Sequence, residues 1–136
     1  MRRINLGLLV LLAACAPVRP VVMWTIARTG GEQRIEVSSN GDVKITATND
    51  GVEEKPESIR LTKDQVSELG DMLRSQRACE LAHEPGYTPT ADEGQTTLTV
   101  AFADQQCKVT LWNSEWLRGR AREISETMRS MKIRPK

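Results

Sequence analysis

The chain has 136 residues, with 19 basic and 18 acidic side chains, so its net charge is close to zero. This balance excludes a general nucleic-acid binder, because such a protein needs a basic surface to neutralise phosphates. The length suits one domain with a modest core, and that core must be mostly aliphatic because only 4% of the residues are aromatic.

The beginning of the chain has the layout of an export signal. Arg2 and Arg3 precede an apolar run from Leu6 to Leu12, and small residues follow it. The run is too short to cross about 30 Å of hydrocarbon as a helix. A positive start, a short apolar core and small residues before a cut are typical of a secretory signal. We therefore expect residues 1–14 to be a removable signal peptide.

The end of this signal is more specific. Leu12-Ala13-Ala14-Cys15 resembles the lipobox of bacterial lipoproteins. The resemblance implies that Cys15 is joined to a diacylglycerol through sulfur, becomes the first residue after cleavage and holds the protein in the membrane through its acyl chains. Ala16 after the cysteine favours the outer membrane of a Gram-negative bacterium, and residues 15–20 form a short tether. An ordinary cleaved signal with a chance cysteine is the alternative.

Three strands are predicted next, because apolar and polar residues alternate from Val22 to Ile26 and again on both sides of Ser39–Gly41. A three-residue loop, Ser39–Gly41, pairs Val37 with Val43, whereas a two-residue loop would set Val37 opposite a lysine. A slip of one residue moves every side chain to the other face of a sheet. The pattern therefore predicts the three-residue loop, with Gly41 in the left-handed conformation.

The segment LTKDQVSELGDMLRSQ follows a polar stretch, residues 49–58, that is predicted to be a mobile loop. Thr62 is a good N-cap, and Gln65 completes a capping box. Leu61 and Val66 match the hydrophobic staple that often accompanies such a cap. Apolar residues then recur at helical spacing, which predicts an amphipathic helix.

A long exposed loop is predicted at residues 83–95, which hold two prolines and two glycines. Two further strands follow it. Pairing Phe102 with Cys107 across a short loop through Asp104-Gln105 aligns the apolar residues of both strands. In that arrangement Cys107 points into the core.

The last helix is predicted to begin near Asn113 or Ser114, both good caps. Apolar residues at helical spacing form its buried face: Leu117, Ala121, Ile124, Met128 and Met131. The order strand–strand–strand–helix–strand–strand–helix predicts an α+β fold, an antiparallel sheet of about five strands with two helices packed on one face. Residues 21–136 are expected to form this single domain.

Cys79 and Cys107 are the cysteines that remain beside the lipidated one. Export places them in an oxidising compartment, so we expect one disulfide between them. It would close a loop of about 29 residues and stabilise the fold by roughly 3–4 kcal/mol in the chain-entropy model. Two buried free thiols are the alternative. No metal site is expected, because the chain has one histidine and no ligand cluster.

The sequence predicts no catalytic residue and no cofactor. His83 stands in no recognisable nucleophile motif, and a disulfide would remove Cys79 as a nucleophile. The arginines of the last helix either contact anionic lipid headgroups or form a solvated helix face, and the second interpretation is favoured. The three tryptophans are assigned to packing rather than to a sugar-binding platform.

Three short segments carry a second resemblance: ARTGG at residues 27–31, LTKDQVSELGDML at 61–73 and TADEGQTTLTV at 90–100. They are similar to the emfourin-type inhibitors of bacterial metalloproteases, which implies a small α+β protein with an early turn, a mid-chain helix and a late hairpin. GGEQRIEV departs from the Phe-rich continuation frequent in that family, and no inhibitory residue is transferred. The sequence thus predicts a non-enzymatic, envelope-tethered lipoprotein that binds a protein partner at the membrane surface, with a metalloprotease inhibitor as the alternative.

Overall fold

A computed structural model describes residues 20–131, which form seven strands and two helices. The strands are β1 (Val21–Arg28), β2 (Gly31–Val37), β3 (Asp42–Asn49), β4 (Val52–Glu53), β5 (Glu57–Arg60), β6 (Gln95–Ala101) and β7 (Gln106–Trp112). The helices are α1 (Lys63–Ser75) and α2 (Gly119–Ser130), and 3₁₀ turns occupy Ala78–Glu80 and Glu115–Leu117. The predicted signal peptide and Cys15 lie outside the described residues. Within residues 20–131, neither helix combines the length and apolar character that a membrane span requires.

The strands form one open antiparallel sheet in the order β4-β3-β2-β1-β6-β7, and β5 also pairs with β3. Both helices lie on one face of this sheet, so the predicted α+β fold is confirmed. The sheet has seven strands rather than about five, because the prediction of a loop at residues 49–58 was wrong. This segment supplies β4 and the first half of β5, and both strands form short ladders along β3.

The core lies between the sheet and the helices. Alternate residues of β1, β2, β3, β6 and β7 face it, and the other face of the sheet is polar and rich in threonine. Trp24 of β1 meets Trp116 edge to face at 4.7 Å between ring centroids, and both side chains are fully buried. Their assignment to packing is therefore confirmed. Complete burial of a large apolar side chain contributes about 1.5–3 kcal/mol.

The first hairpin has the predicted register. Val37 pairs with Val43 across a loop in which Gly41 has φ of +96°. A Cβ at Gly41 would also lie 2.3 Å from the backbone oxygen of Leu61, where β5 leads into α1. Both the left-handed conformation and this close approach require glycine.

The second hairpin has a different register from the predicted one. Val100, not Phe102, pairs with Cys107. Phe102 N–H donates to Gln105 O at 2.7 Å and closes a tight turn through Ala103-Asp104. Side chains alternate with a period of two, so a shift of two residues leaves every side chain on the same face. The apolar pattern could not distinguish the two registers, and the turn decided between them.

Helix α1 begins as predicted. Gln65 N–H donates to Thr62 Oγ1 at 3.1 Å, and Thr62 N–H donates to Gln65 Oε1 at 2.9 Å. Leu61 and Val66, which flank the cap, are both buried. The capping box and the staple therefore act together to set the start of the helix.

Helix α2 begins later than predicted. Ser114 precedes the 3₁₀ turn without a capping bond, and Arg118 is the N-cap of α2. Leu117, predicted in the core, is 53% exposed, whereas Trp116 takes its place at 0%. The 3₁₀ turn changes the helical phase by about one residue, so the spacing extrapolated back from α2 fails there. The remaining predicted core residues of this helix are buried: Ala121, Ile124, Met128 and Met131.

The predicted disulfide is present. Cys79 and Cys107 are bonded, with their Cα atoms 5.5 Å apart. The bond connects the Ala78–Glu80 turn, just beyond α1, to the second residue of β7. It therefore fastens the end of the first helix to the last strand of the sheet.

Candidate functional site at the distal end of the sheet

The sheet has two ends with different architectures. The proximal end, where the chain enters β1 at Val21, carries the tight turns Ser39–Gly41 and Ala103-Asp104. The distal end, about 23 Å away along β1, gathers four connections. They are the turn at Thr29-Gly30, the hairpin at Asp50-Gly51, the loop of residues 83–94 and the segment 113–118. We call the loop of residues 83–94 the distal loop.

Glu115 holds the start of the distal loop through hydrogen bonds. Its side chain is only 2% exposed, and both carboxylate oxygens accept hydrogen bonds. His83 donates through Nδ1 to Oε1 at 2.7 Å, Glu84 N–H donates to Oε2 at 2.8 Å, and Trp112 N–H donates to Oε1 at 3.0 Å. Burial raises the pKa of Glu115, but these donors outweigh burial and lower it overall. The carboxylate is therefore held ionised while it joins the loop to the end of β7.

Glu93 holds the end of the same loop. Ser114 donates from its hydroxyl and also from its backbone N–H, the latter at 2.7 Å, and the Tyr87 hydroxyl donates at 2.6 Å. Thr90 N–H adds a fourth bond at 3.3 Å. The Ser114 hydroxyl, followed by the Tyr87 hydroxyl, lowers the pKa of Glu93 to about 2. The two carboxylates thus secure the loop at both ends.

The backbone of the loop also packs tightly where it joins β6. A Cβ at Gly94 would lie 2.1 Å from the backbone oxygen of Ala27, so glycine alone allows this approach to β1. Asn113 N–H donates to Gly94 O at 2.9 Å. The loop therefore leaves the distal end at a fixed place beside β1.

The outer surface of the distal end combines charged, aromatic and apolar groups. Arg118 donates to Glu84 Oε2 at 3.1 Å, and its guanidinium lies 5.7 Å from the centre of the Tyr87 ring. Leu117 and Val52 are large apolar side chains exposed by 53% and 68% at this end. Between and around them the loop exposes small and polar residues: Pro85, Gly86, Thr88, Thr90 and Ala91.

The predicted arginine surface of α2 is partly used inside the domain. Arg118 pairs with Glu84, and Arg120 donates to Gln76 O at 2.9 Å just after α1. Arg122 pairs with Glu126 at 2.8 Å, one turn along the same helix. The described part of this helix therefore offers few free cations for lipid headgroups.

His83 is 53% exposed and contacts the buried Glu115 carboxylate. Its Nδ1 is engaged by Glu115, and Cys79 is in a disulfide. Among residues 20–131, no group of three or more histidine, cysteine, aspartate or glutamate side chains could hold a metal ion.

A second concave surface lies on the polar face of the sheet at the proximal end. It is a shallow groove of about 430 Å³ beside Val21, Met23, Glu36, Lys44 and Ser58. Lys44 faces Glu36 across the β2–β3 ladder. Asp42 also lines the groove, which provides a comparison for tests of the distal end.

The sequence predicted part of this site but not its two carboxylates, Glu115 and Glu93. It placed His83 in an exposed loop and paired the two cysteines, both of which the structure bears out. It gave no role to Glu115 or Glu93. Glu115 looked like an ordinary acidic residue in the first turn of a helix, and its contact with His83 spans 32 residues.

Comparison with models of known protein families and with curated proteins finds no match for this chain. The geometry of the distal end therefore carries the functional argument.

Proposed function

We propose that this protein is a non-enzymatic, lipid-anchored binding module of the bacterial cell envelope, and that its distal end binds a protein partner. The observation that carries this proposal is the buried Glu115 carboxylate. A buried charge is costly unless it is fully hydrogen-bonded. Here the donors that satisfy it fix an exposed loop, beside the uncovered side chain of Leu117.

A fixed loop suits recognition. Ordering a flexible loop on binding costs free energy, and a loop that is already ordered avoids most of that cost. The hydrogen bonds of Glu93 and Glu115 hold residues 83–94 at both ends. An arginine over a tyrosine ring, as with Arg118 and Tyr87, is a composition typical of interface anchors, and the exposed Leu117 precedes Arg118 in the chain.

The proposed lipid anchor would orient the distal end relative to the bilayer. The few residues between Cys15 and β1 reach at most about 20 Å when extended. The proximal end would then stay near the bilayer, and the distal end would face away from it. Two or three acyl chains on Cys15 would hold the protein stably, whereas one chain binds only reversibly. The outer membrane is the proposed location.

The anchor is tested by intact mass spectrometry of the protein purified from membranes. We expect a chain that begins at Cys15 and carries diacylglycerol. The Cys15→Ser variant should leave the membrane fraction. An unmodified methionine start, or a cut elsewhere without lipid, would contradict the anchor and its consequences.

The binding surface is tested with a photo-crosslinking side chain placed at Thr88 in the distal loop. A matched probe at Ser58, in the proximal groove, is the control, because both positions are exposed. We expect one envelope protein to be captured from Thr88 and not from Ser58, and the Leu117→Asp substitution to abolish that capture. Equal capture from both positions would refute a distal binding site.

Inhibition of a metalloprotease is the second candidate function. Two of the three segments that resemble emfourin-type inhibitors, residues 27–31 and 90–100, meet at the distal end, where Gly94 lies against Ala27. Titration of the protein against a thermolysin-type protease tests this candidate. Full peptidase activity at micromolar protein would exclude it, and a loss that the Leu117→Asp variant abolishes would support it.

A further inference from the structure

Residues 79–84 form a strap that runs beside β7. At one end, Cys79 is bonded to Cys107, the second residue of β7. At the other end, His83 and Glu84 bond to Glu115, which also accepts the N–H of Trp112, the last residue of β7. The strap therefore connects the disulfide at the proximal end to the distal loop.

Few contacts hold the strap between its two ends. Leu81 packs partly against the core, and Leu81 N–H donates to Ala78 O within the 3₁₀ turn. In the part of the chain that the structure describes, no backbone hydrogen bond joins the strap to β7. The disulfide holds the strap at its proximal end, and Glu115, together with Arg118 bonded to Glu84, holds it at its distal end.

The strap begins at a strained and accessible point. Arg77 has φ of +50° and ψ of 54°, a left-handed conformation that is unfavourable for a residue with a Cβ. Cys79 is half-buried at the margin of a cleft of about 160 Å³, which Arg74, Arg77 and Phe102 also line. Cys107, the other half of the disulfide, is also only partly buried.

We propose that the Cys79–Cys107 disulfide is a redox-controlled fastener of the distal loop. The proposal rests on the binding role given to that loop above. A dithiol, such as the active site of an envelope thiol–disulfide oxidoreductase, attacks one sulfur as a thiolate and forms a mixed disulfide. Its second thiol then completes the exchange. The protein gains two electrons and two protons as two thiols, and the dithiol becomes a disulfide.

Reduction releases the proximal end of the strap and relaxes Arg77. The distal loop then loses the support that fixes His83 and Glu84 over Glu115. The sheet and both helices keep their contacts, because the two cysteines lie at the margin of the core and the central side chains of the core are fully buried elsewhere. Oxidised protein therefore presents an ordered loop, and reduced protein presents a loosened one.

Hydrogen exchange of the purified native protein, with and without dithiothreitol, tests the proposal. We expect peptides that cover residues 79–90 to exchange at least tenfold faster after reduction at labelling times too short for global unfolding, when peptides from β1 and β6 stay protected in both redox states. The Glu115→Gln variant, kept oxidised, is the matched control. It detaches the other end of the strap and should accelerate the same peptides with the disulfide intact.

Two results would overturn the proposal that the disulfide controls the distal loop. Unchanged exchange in residues 79–90 would show that the disulfide does not hold the strap. Equal acceleration of all peptides would show that it staples the whole domain instead. Photo-crosslinking from Thr88 in both redox states separates this proposal from the binding function. No capture in either state refutes the binding function alone, and equal capture in both refutes its redox control.

Discussion

The two ends of the sheet are ordered by different kinds of interaction. At the proximal end, the Ser38–Asp42 turn is closed by bonds within four residues, including Ser38 N–H to Asp42 O at 2.9 Å. At the distal end, the bonds that hold the loop span up to 34 residues, as between Glu84 and Arg118. The Ser38–Asp42 turn is therefore set mainly by its own residues, whereas the distal loop is held by bonds that form only once the domain has folded.

This difference indicates which substitutions can loosen each end of the sheet. A turn made by its own residues fails only when those residues change. A loop held by distant carboxylates can be loosened by a change at Glu115, at Glu93 or at the disulfide, with the sheet left intact. Four substitutions or titrations test this contrast, and they are described from the largest expected effect to the smallest.

Replacing Trp116 by alanine should have the largest effect. Its ring is fully buried against Trp24, and its indole N–H donates to Thr96 O at 3.0 Å. We expect a loss of about 3–5 kcal/mol in the free energy of unfolding, measured by urea denaturation. Leu117→Ala is the control and should cost less than about 0.5 kcal/mol. A comparable loss from both variants would mean that the helical phase predicted from sequence is correct after all.

Replacing Glu115 by glutamine should have the next largest effect. The amide keeps the shape but removes the charge and one of the two acceptor oxygens, so a buried donor loses its partner. We expect a loss of about 2–3 kcal/mol in the free energy of unfolding. Glu126→Gln is the control, because Glu126 forms an exposed pair with Arg122, and no measurable change is expected. Equal stability of both variants would contradict the role of Glu115.

The Gly41→Ala substitution tests the Ser39–Gly41 turn at the proximal end. The substitution forces a left-handed alanine and also places its Cβ 2.3 Å from Leu61 O. We expect a loss of about 2 kcal/mol in unfolding free energy. Gly51→Ala shares the positive φ, at +78°, but has open space around the new Cβ, so it should cost only about 1 kcal/mol. If the two costs are the same, the close approach to Leu61 contributes nothing.

Titration of Glu93 should give the smallest effect. Its pKa is lowered from 4.5 to about 2 in the folded protein. A lowered pKa stabilises the ionised fold above the unfolded value, so this contribution is complete above about pH 4.5 and is lost as the pH falls through about 2. The carboxyl carbon signal in an NMR titration should have its midpoint near pH 2, and Ser114→Ala should raise that midpoint. A midpoint near 4.5 in the unsubstituted protein would contradict the bonds described for Glu93.

Much of the fold was readable from the sequence because its signals are local. The capping box of Thr62 and Gln65 marked the start of α1, and alternation around Ser39–Gly41 fixed the register of the first hairpin. The disulfide followed from a pair of cysteines expected in an oxidising compartment. Each of these inferences needs only neighbouring residues or a simple count.

Other features could not be predicted from the sequence, because equivalent local patterns are compatible with different structures. The second hairpin shifted by two residues without changing any face, and Leu117 left the core because a 3₁₀ turn precedes α2. The short strands β4 and β5 carry too little alternation to distinguish them from a polar loop. In all three cases the chain satisfies its backbone hydrogen bonds and its packing in a way that no short window specifies.

The sequence by itself determined the α+β class, the start of the first helix and the first hairpin, because short-range periodicity and capping chemistry are enough for them. The cysteine pair followed from a count of the cysteines. Only the tertiary structure decided that Glu115 and Glu93 would hold the distal loop. Each carboxylate acts in this way because donors from separate parts of the chain converge on it, and that convergence is a property of the folded chain.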